Sequence, residues 1–250
     1  MIWRKLQLNW MYGLGEFAIV VLGVLAAFWV ENWNSDRNDQ ILETRYVAAL
    51  LEDLRKDDLA LQFAMSEAEL NSALGRMLLK AIEEDSISVT PNEFVKAASR
   101  SGWIQNPLYT RVTFTDLMNT GNLRLIRSDS IRASISSYYT SIELGGVEQA
   151  RREHQARMGR LTAEFLPLKF RDTYDYQLNG GPPWAANGVD ATDTDARAIL
   201  DGMLARPEVR PAIEIMVRIQ GLLYMQQARI KDRLQGLIAD LEGYLQTLET

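Results

Sequence analysis

From Trp10 to Val30 the chain is apolar at every position except Glu16, and directly afterwards it becomes strongly polar. At a helical rise of about 1.5 Å per residue this run covers roughly 30 Å, the thickness of the hydrocarbon layer of a bilayer. Aromatic residues gather at both ends: Trp3, Trp10 and Tyr12 on one side, and Phe28, Trp29 and Trp33 on the other. Amphipathic rings concentrate in this way at the two membrane interfaces. Arg4 and Lys5 would also serve as the basic start of a cleaved signal peptide. However, the apolar stretch is long, and Val30-Glu31-Asn32-Trp33 offers no small-residue cleavage site. A helix apolar on all faces would otherwise need a large protein around it. The pattern therefore predicts a retained N-terminal transmembrane anchor over residues 1–34.

Beyond the anchor the apolar positions follow a helical period. Leu42, Tyr46, Leu50, Leu54, Leu61, Met65, Ala68, Leu74, Met77, Leu78 and Ile82 recur at steps of three and four, and between Ser35 and Glu84 only Gly75 interrupts. The anchor can run into this segment as one rod, or bend at the polar stretch Asn32 to Asn38. Thr90-Pro91-Asn92-Glu93 carries a cap, a proline at the first helical position and an acid placed to complete a capping box, which predicts a short helix to Arg100. Thr113-Phe114-Thr115-Asp116 predicts the start of another, closed by Gly121. A longer segment begins at Ser128-Asp129 and stops at Pro167, with Gly145-Gly146 as its weak point.

Periodicity then vanishes in a loop over about 168–194, rich in Gly, Pro, Asn and Asp, with Trp184 at its centre as a candidate contact residue. Asp190, Asp193 and Asp195 lack the spacing of a calcium loop and fit helix capping better. From Pro211 onward, Met216, Gln220, Leu223, Gln227, Ile230, Leu234, Leu237, Leu241, Tyr244 and Leu248 form a four-three seam. Such a seam can face another copy, with the glutamines fixing register. The expected arrangement is intramolecular, antiparallel to the first long helix. The fold class is thus all-α: a transmembrane helix followed by a bundle of long antiparallel helices, residues 35–250, outside the membrane.

Charge places the anchor. Arg4, Lys5 and the terminal amine precede the span, and Arg37 and Arg45 follow it. The positive-inside rule thus favours a cytoplasmic N-terminus in a bacterial inner membrane, with the helical domain in the periplasm. The net charge of −6 and the lack of a basic stripe interleaved with aromatics argue against nucleic acid as a partner. With no cysteine and the single histidine His154 set among arginines, no conventional zinc site or thiol nucleophile can be assembled. Gly13-x-Gly15 has no phosphate-loop context, and the serines near Arg127 to Ser141 lack a nucleophile motif. Carboxylate pairs such as Asp57-Asp58 read as solvated charge. No cofactor is implied, and no residue set nominates an enzyme.

Glu16 is the exception, because a carboxylate within a span is costly and points to function. On a helix Gly13, Glu16, Val20, Gly23 and Ala27 share one stripe, and Gly23-x-x-x-Ala27 is a small-x-x-x-small pattern that allows close helix approach. Glu16 can hydrogen-bond between copies, line an ion path, meet a basic residue of another membrane protein, or reach the headgroups.

Gly15-Glu16-Phe17-Ala18-Ile19-Val20-Val21-Leu22-Gly23-Val24-Leu25-Ala26-Ala27, with Trp33-Asn34 and the Tyr46, Leu50, Asp53-Leu54 rhythm, resembles an uncharacterised bacterial family of single-span, membrane-anchored helical proteins. Thr113-Phe114-Thr115-Asp116-Leu117, Asn119-Thr120-Gly121-Asn122-Leu123 and Ile126 are similar to its second recurrent stretch. The resemblance implies an anchor plus a helical domain and carries no activity. The expected function is non-enzymatic assembly or protein interaction at the bilayer, as a homo-oligomer. The alternatives are a small oligomeric ion or proton channel using Glu16, and an accessory subunit of a larger membrane complex.

Overall fold

The computed structural model describes residues 3–143, 148–170 and 190–248. Trp184, the Gly145-Gly146 break and the side chain of Trp10 lie outside the described residues. The elements are α1 (Trp3–Glu84), α2 (Pro91–Arg100), α3 (Val112–Thr120), a 3-10 turn (Asn122–Leu125), α4 (Asp129–Glu143), α5 (Glu148–Phe165), α6 (Asp193–Leu204) and α7 (Val209–Leu248). The protein is all-α, with no strand among the described residues. Neither glycine nor proline occurs from Val24 to Leu74, and α1 passes through Asn32 to Asn38 unbroken. The apolar run and the amphipathic segment are therefore one helix. It is long and apolar enough to cross a membrane.

Local signals act as their chemistry requires. Thr90 caps α2 and Glu93 returns the bond to the Thr90 backbone, with Pro91 at the first position. Thr192 and Asp195 form the same reciprocal box at α6, with Asp193 in the first turn, whereas Asp190 takes no part in the cap and accepts from the Asn92 amide at 3.2 Å. Gly121 closes α3 at φ 70°, a left-handed conformation that a Cβ would strain. The start of α3 differs from expectation, since the helix begins at Val112 after Arg111, with no side-chain cap from the Thr113 cluster.

The chain divides into two compact units. The first comprises Met1–Glu52, Arg111–Arg132 and Asp240–Thr250. Here Val47 and Leu50 of α1, Leu117, Leu125, Ile126 and Leu241 are buried. Tyr46 donates its hydroxyl to Asp116 (2.8 Å) and accepts from the Asn122 amide (3.1 Å). Residues of α1 and of the segment from Asp116 to Asn122 thus meet at Tyr46.

The second unit comprises Asp53–Thr110 and Ala133–Ala239. Leu74, Leu78 and Ala81 of α1 pack with Phe94 and Ala98 of α2, Met158 and Phe165 of α5, Ile199 and Met203 of α6, and Ile213 and Met216 of α7. Within this unit α1 and α7 run antiparallel, with Gly75 against Val217 and Asp58 ion-paired to Lys231 at 3.8 Å. A Cβ at Gly75 would lie 2.5 Å from a Val217 methyl, so glycine is what lets the helices approach. The seam of α7 is used internally. Ile230, Leu234 and Leu237 are buried, and the Gln220 amide donates to the Trp103 carbonyl at 2.6 Å.

The buried face of α1 is less apolar than its pattern suggests. Asp57 is fully buried, whereas Asp58 beside it is partly exposed, so the pair is not the solvated charge expected of it. Glu67 is buried against Arg100, which also donates to the Asn71 side-chain oxygen at 2.9 Å.

Candidate functional site

The apolar part of α1 is bare. Its most apolar window is wholly unburied, Val20 is 63% exposed, and Trp29 and Trp33 are exposed as well. A Cβ at Gly13 or Gly23 would meet nothing within 4 Å. Glu16 and Ala27 are exposed on the same stripe, and Glu16 forms no ion pair among the described residues. The helical spacing that aligns Gly13, Glu16, Val20, Gly23 and Ala27 thus produces a face that no described residue covers.

Where the apolar run ends, the first unit forms an open groove of about 650 Å³. One wall is α1, with Trp33, Asp36, Arg37, Asp39 and Gln40; the other is the turn carrying Arg124, Leu125 and Arg127. The guanidinium of Arg37 sits 5.9 Å from the centre of the Trp33 ring, a cation–π arrangement that orients it. Glu43, fully buried one turn beyond, fixes the second wall. It accepts the Arg127 backbone N–H at 2.7 Å and the Tyr244 hydroxyl at 2.5 Å, and pairs with the Arg127 side chain at 3.5 Å. Burial and this bond to Glu43 raise the Tyr244 pKa, so the phenol stays a donor. Arg132 reinforces the wall by donating to the Ile126 carbonyl.

This groove was not legible as a site in the sequence. Arg37 entered only as a charge that sets orientation, and nothing in the pattern places Arg124 and Arg127 opposite it. The single hint is the local excess of bases between Arg124 and Arg171, nine against five acids.

The second unit holds a buried polar cluster. Asp57 accepts from the Thr110 backbone N–H (2.6 Å) and the Tyr138 hydroxyl (2.8 Å). Tyr138 packs edge-on against Tyr139, with ring centres 5.1 Å apart. Burial raises the Asp57 pKa; Thr110 and Tyr138 oppose the rise, and Asp53 adds to it. Burial and the Asp57 charge push Tyr109 up to about 12 and raise Tyr138 as well. Both phenols are held protonated, and Tyr138 donates to the carboxylate. The cluster's chemistry is that of a tie between α1, the segment before Arg111 and α4. Among the described residues no three His, Cys, Asp or Glu side chains are placed to hold a metal ion.

No family model, curated protein or solved structure matches the chain.

Proposed function

We propose that the protein is a non-enzymatic, single-span protein of a bacterial inner membrane, with a cytoplasmic N-terminus and a helical domain on the periplasmic side that serves assembly or protein interaction as a homo-oligomer. The observation that carries this reading is the contrast along α1. Its apolar window is wholly unburied, while Leu50, Leu54, Leu61 and Leu78 further along are buried. An apolar run broken only by Glu16 and left bare in water would be unfavourable at roughly 25 cal/mol per Å², and a bilayer removes that cost. The open stripe at Gly13, Val20, Gly23 and Ala27 supports association within the bilayer, where small residues permit close packing. Ile230, Leu234 and Leu237 in the seam of α7, in contrast, are taken up inside the chain.

The test is the native mass of the protein extracted in mild detergent, wild type against Gly23→Leu. A wild-type oligomer that loosens in the variant supports the reading, and an unchanged mass counts against the stripe. A stoichiometric foreign chain in the wild-type preparation would make the protein an accessory subunit instead. A second reading, an oligomeric ion or proton channel, draws on Glu16, an acid on that stripe with no ion pair among the described residues. It requires Glu16→Gln to abolish conductance in liposomes without changing the mass, and wild-type protein that passes no ions removes it.

A further inference from the structure

The groove beside Trp33 combines charges that do not satisfy one another. Arg37 and Arg124 have no carboxylate partner among the described residues, and neither Asp36 nor Asp39 has a cationic one. Arg127 is already engaged by Glu43. The lining therefore offers two free guanidinium groups and two free carboxylates in one concavity, a match for a ligand carrying both a phosphate and an ammonium. Guanidinium suits the phosphate, because its planar fork makes paired charge-assisted hydrogen bonds.

The position of the groove along α1 selects the source of that ligand. Arg37 lies seven residues beyond Val30, about 10 Å along the helix axis, and helical side chains lean back toward the N-terminus, here toward the apolar run. Its charged end therefore falls near the headgroup layer, roughly 5–7 Å deep outside the hydrocarbon. A second, more apolar recess, lined by Ala26, Ala27, Val30 and Trp33 with Glu31 and Asn34 at the polar end of the run, adjoins the groove through the shared Trp33. Its small side chains leave room for an acyl chain to lie against the helix below the charges.

We propose that this groove seats one phospholipid with a phosphoethanolamine headgroup, the phosphate against Arg37 and Arg124, the ammonium toward Asp36 and Asp39, and an acyl chain along Ala26, Ala27 and Val30. The inference rests on the reading of Trp10 to Val30 as a membrane span. It assigns the first unit a role that this reading leaves open: it fixes the depth and orientation of the domain through a specific lipid rather than through general attraction to the surface.

The test uses the full chain in detergent, exposed to equal amounts of phosphatidylethanolamine, phosphatidylglycerol and phosphatidylcholine, with retained lipid counted by native mass spectrometry. The wild type should keep phosphatidylethanolamine preferentially. Arg37→Gln with Arg124→Gln should weaken retention roughly tenfold, the equivalent of about one charged hydrogen bond. Asp36→Asn with Asp39→Asn should keep the phosphate contact and move the preference to phosphatidylglycerol. Glycerophosphoethanolamine added in excess should displace the lipid, whereas displacement by inorganic phosphate at the same concentration would reduce the groove to a simple anion site and overturn the proposal. Alkaline carbonate extraction of the same proteins separates the two levels of the argument. A wild type stripped from membranes overturns the anchor reading and this proposal with it. A wild type that stays embedded, yet retains phosphatidylethanolamine no better than the double arginine variant, overturns this proposal alone.

Discussion

Replacing Asp57 by alanine strands two donors in the second unit: the Tyr138 hydroxyl, on a side chain 1% exposed, and the Thr110 backbone N–H. Each orphaned buried group costs about 1–3 kcal/mol, more for the wholly enclosed Tyr138 than for the partly buried Thr110. Relief of the buried carboxylate's own desolvation offsets part of this, so the net destabilisation should be about 2–4 kcal/mol. For a chain of this size that corresponds to a fall of roughly 4–16 °C in Tm, read by the far-ultraviolet circular dichroism of the full chain in detergent. Asp57→Asn is the discriminating variant. Its carbonyl oxygen can accept from Thr110 and its amide can donate to the Tyr138 oxygen, although the phenol proton loses its acceptor, so it should be clearly more stable than Asp57→Ala at pH 7.

The pH dependence has a definite sign. Burial raises the folded-state pKa of Asp57, so the ionised carboxylate opposes folding above that value. The penalty fades as pH falls toward the unfolded-chain value of about 3.9. Wild type should therefore gain on Asp57→Asn as the solution is acidified from pH 7 to 4. In a double-mutant cycle, Asp57→Ala and Tyr138→Phe should fall short of additivity by about 1–2 kcal/mol. An Asp57→Ala protein as stable as wild type, or an Asp57→Asn protein as damaged as Asp57→Ala, would refute the reasoning.

Other consequences follow from the packing. Gly75→Leu must displace Val217 where a Cβ alone would sit 2.5 Å from its methyl; overpacking of this kind should lower stability by about 1–3 kcal/mol in the same thermal assay. Arg100→Met leaves Glu67 buried without its cation, which should cost about 3–5 kcal/mol, and adding Glu67→Leu should recover much of the loss. At α6, the ion-paired hydrogen bond from Lys169, with those from Thr192, holds the Asp195 carboxyl down to about 2. Its folded pKa is depressed, so its contribution is complete above the unfolded-chain value and is lost as pH falls toward 2. The Tm difference between wild type and Asp195→Asn should be constant from about pH 7 to 5 and close below about pH 4.

What the sequence revealed and what it hid divide along physical lines. Capping chemistry is local, so Thr90 with Glu93, a capping role for the acids near Asp193, and Gly121 as the stop of α3 could be read within a few residues. The apolar run needs no tertiary context either, and the absence of glycine and proline from Val24 to Leu74 decides in favour of one continuous helix. Polar residues on a buried face are another matter. Glu43, Asp57, Glu67 and Asn71 interrupt the apolar pattern of α1 and look solvated until Tyr244, Tyr138 and Arg100 arrive from elsewhere in the chain. The same holds for Gln220, whose place in the seam suggested register control between copies and whose amide in fact satisfies the Trp103 carbonyl. The charged groove joins Arg37 to residues more than eighty positions away, a distance over which neither periodicity nor spacing carries information.

The central claim, that Trp10 to Val30 lies in a bilayer with the helical domain outside, is tested most directly by thiol labelling, because the chain has no cysteine of its own. Single replacements Gln7→Cys, Leu22→Cys and Ser35→Cys would each be exposed to a membrane-impermeant maleimide on spheroplasts and again after permeabilisation. The account predicts that Ser35→Cys labels at once, Gln7→Cys only after permeabilisation, and Leu22→Cys in neither condition until detergent and denaturant are added. Ready labelling of Leu22→Cys in intact membranes would place the apolar helix in water and contradict the account, and labelling of Gln7→Cys before Ser35→Cys would reverse its orientation.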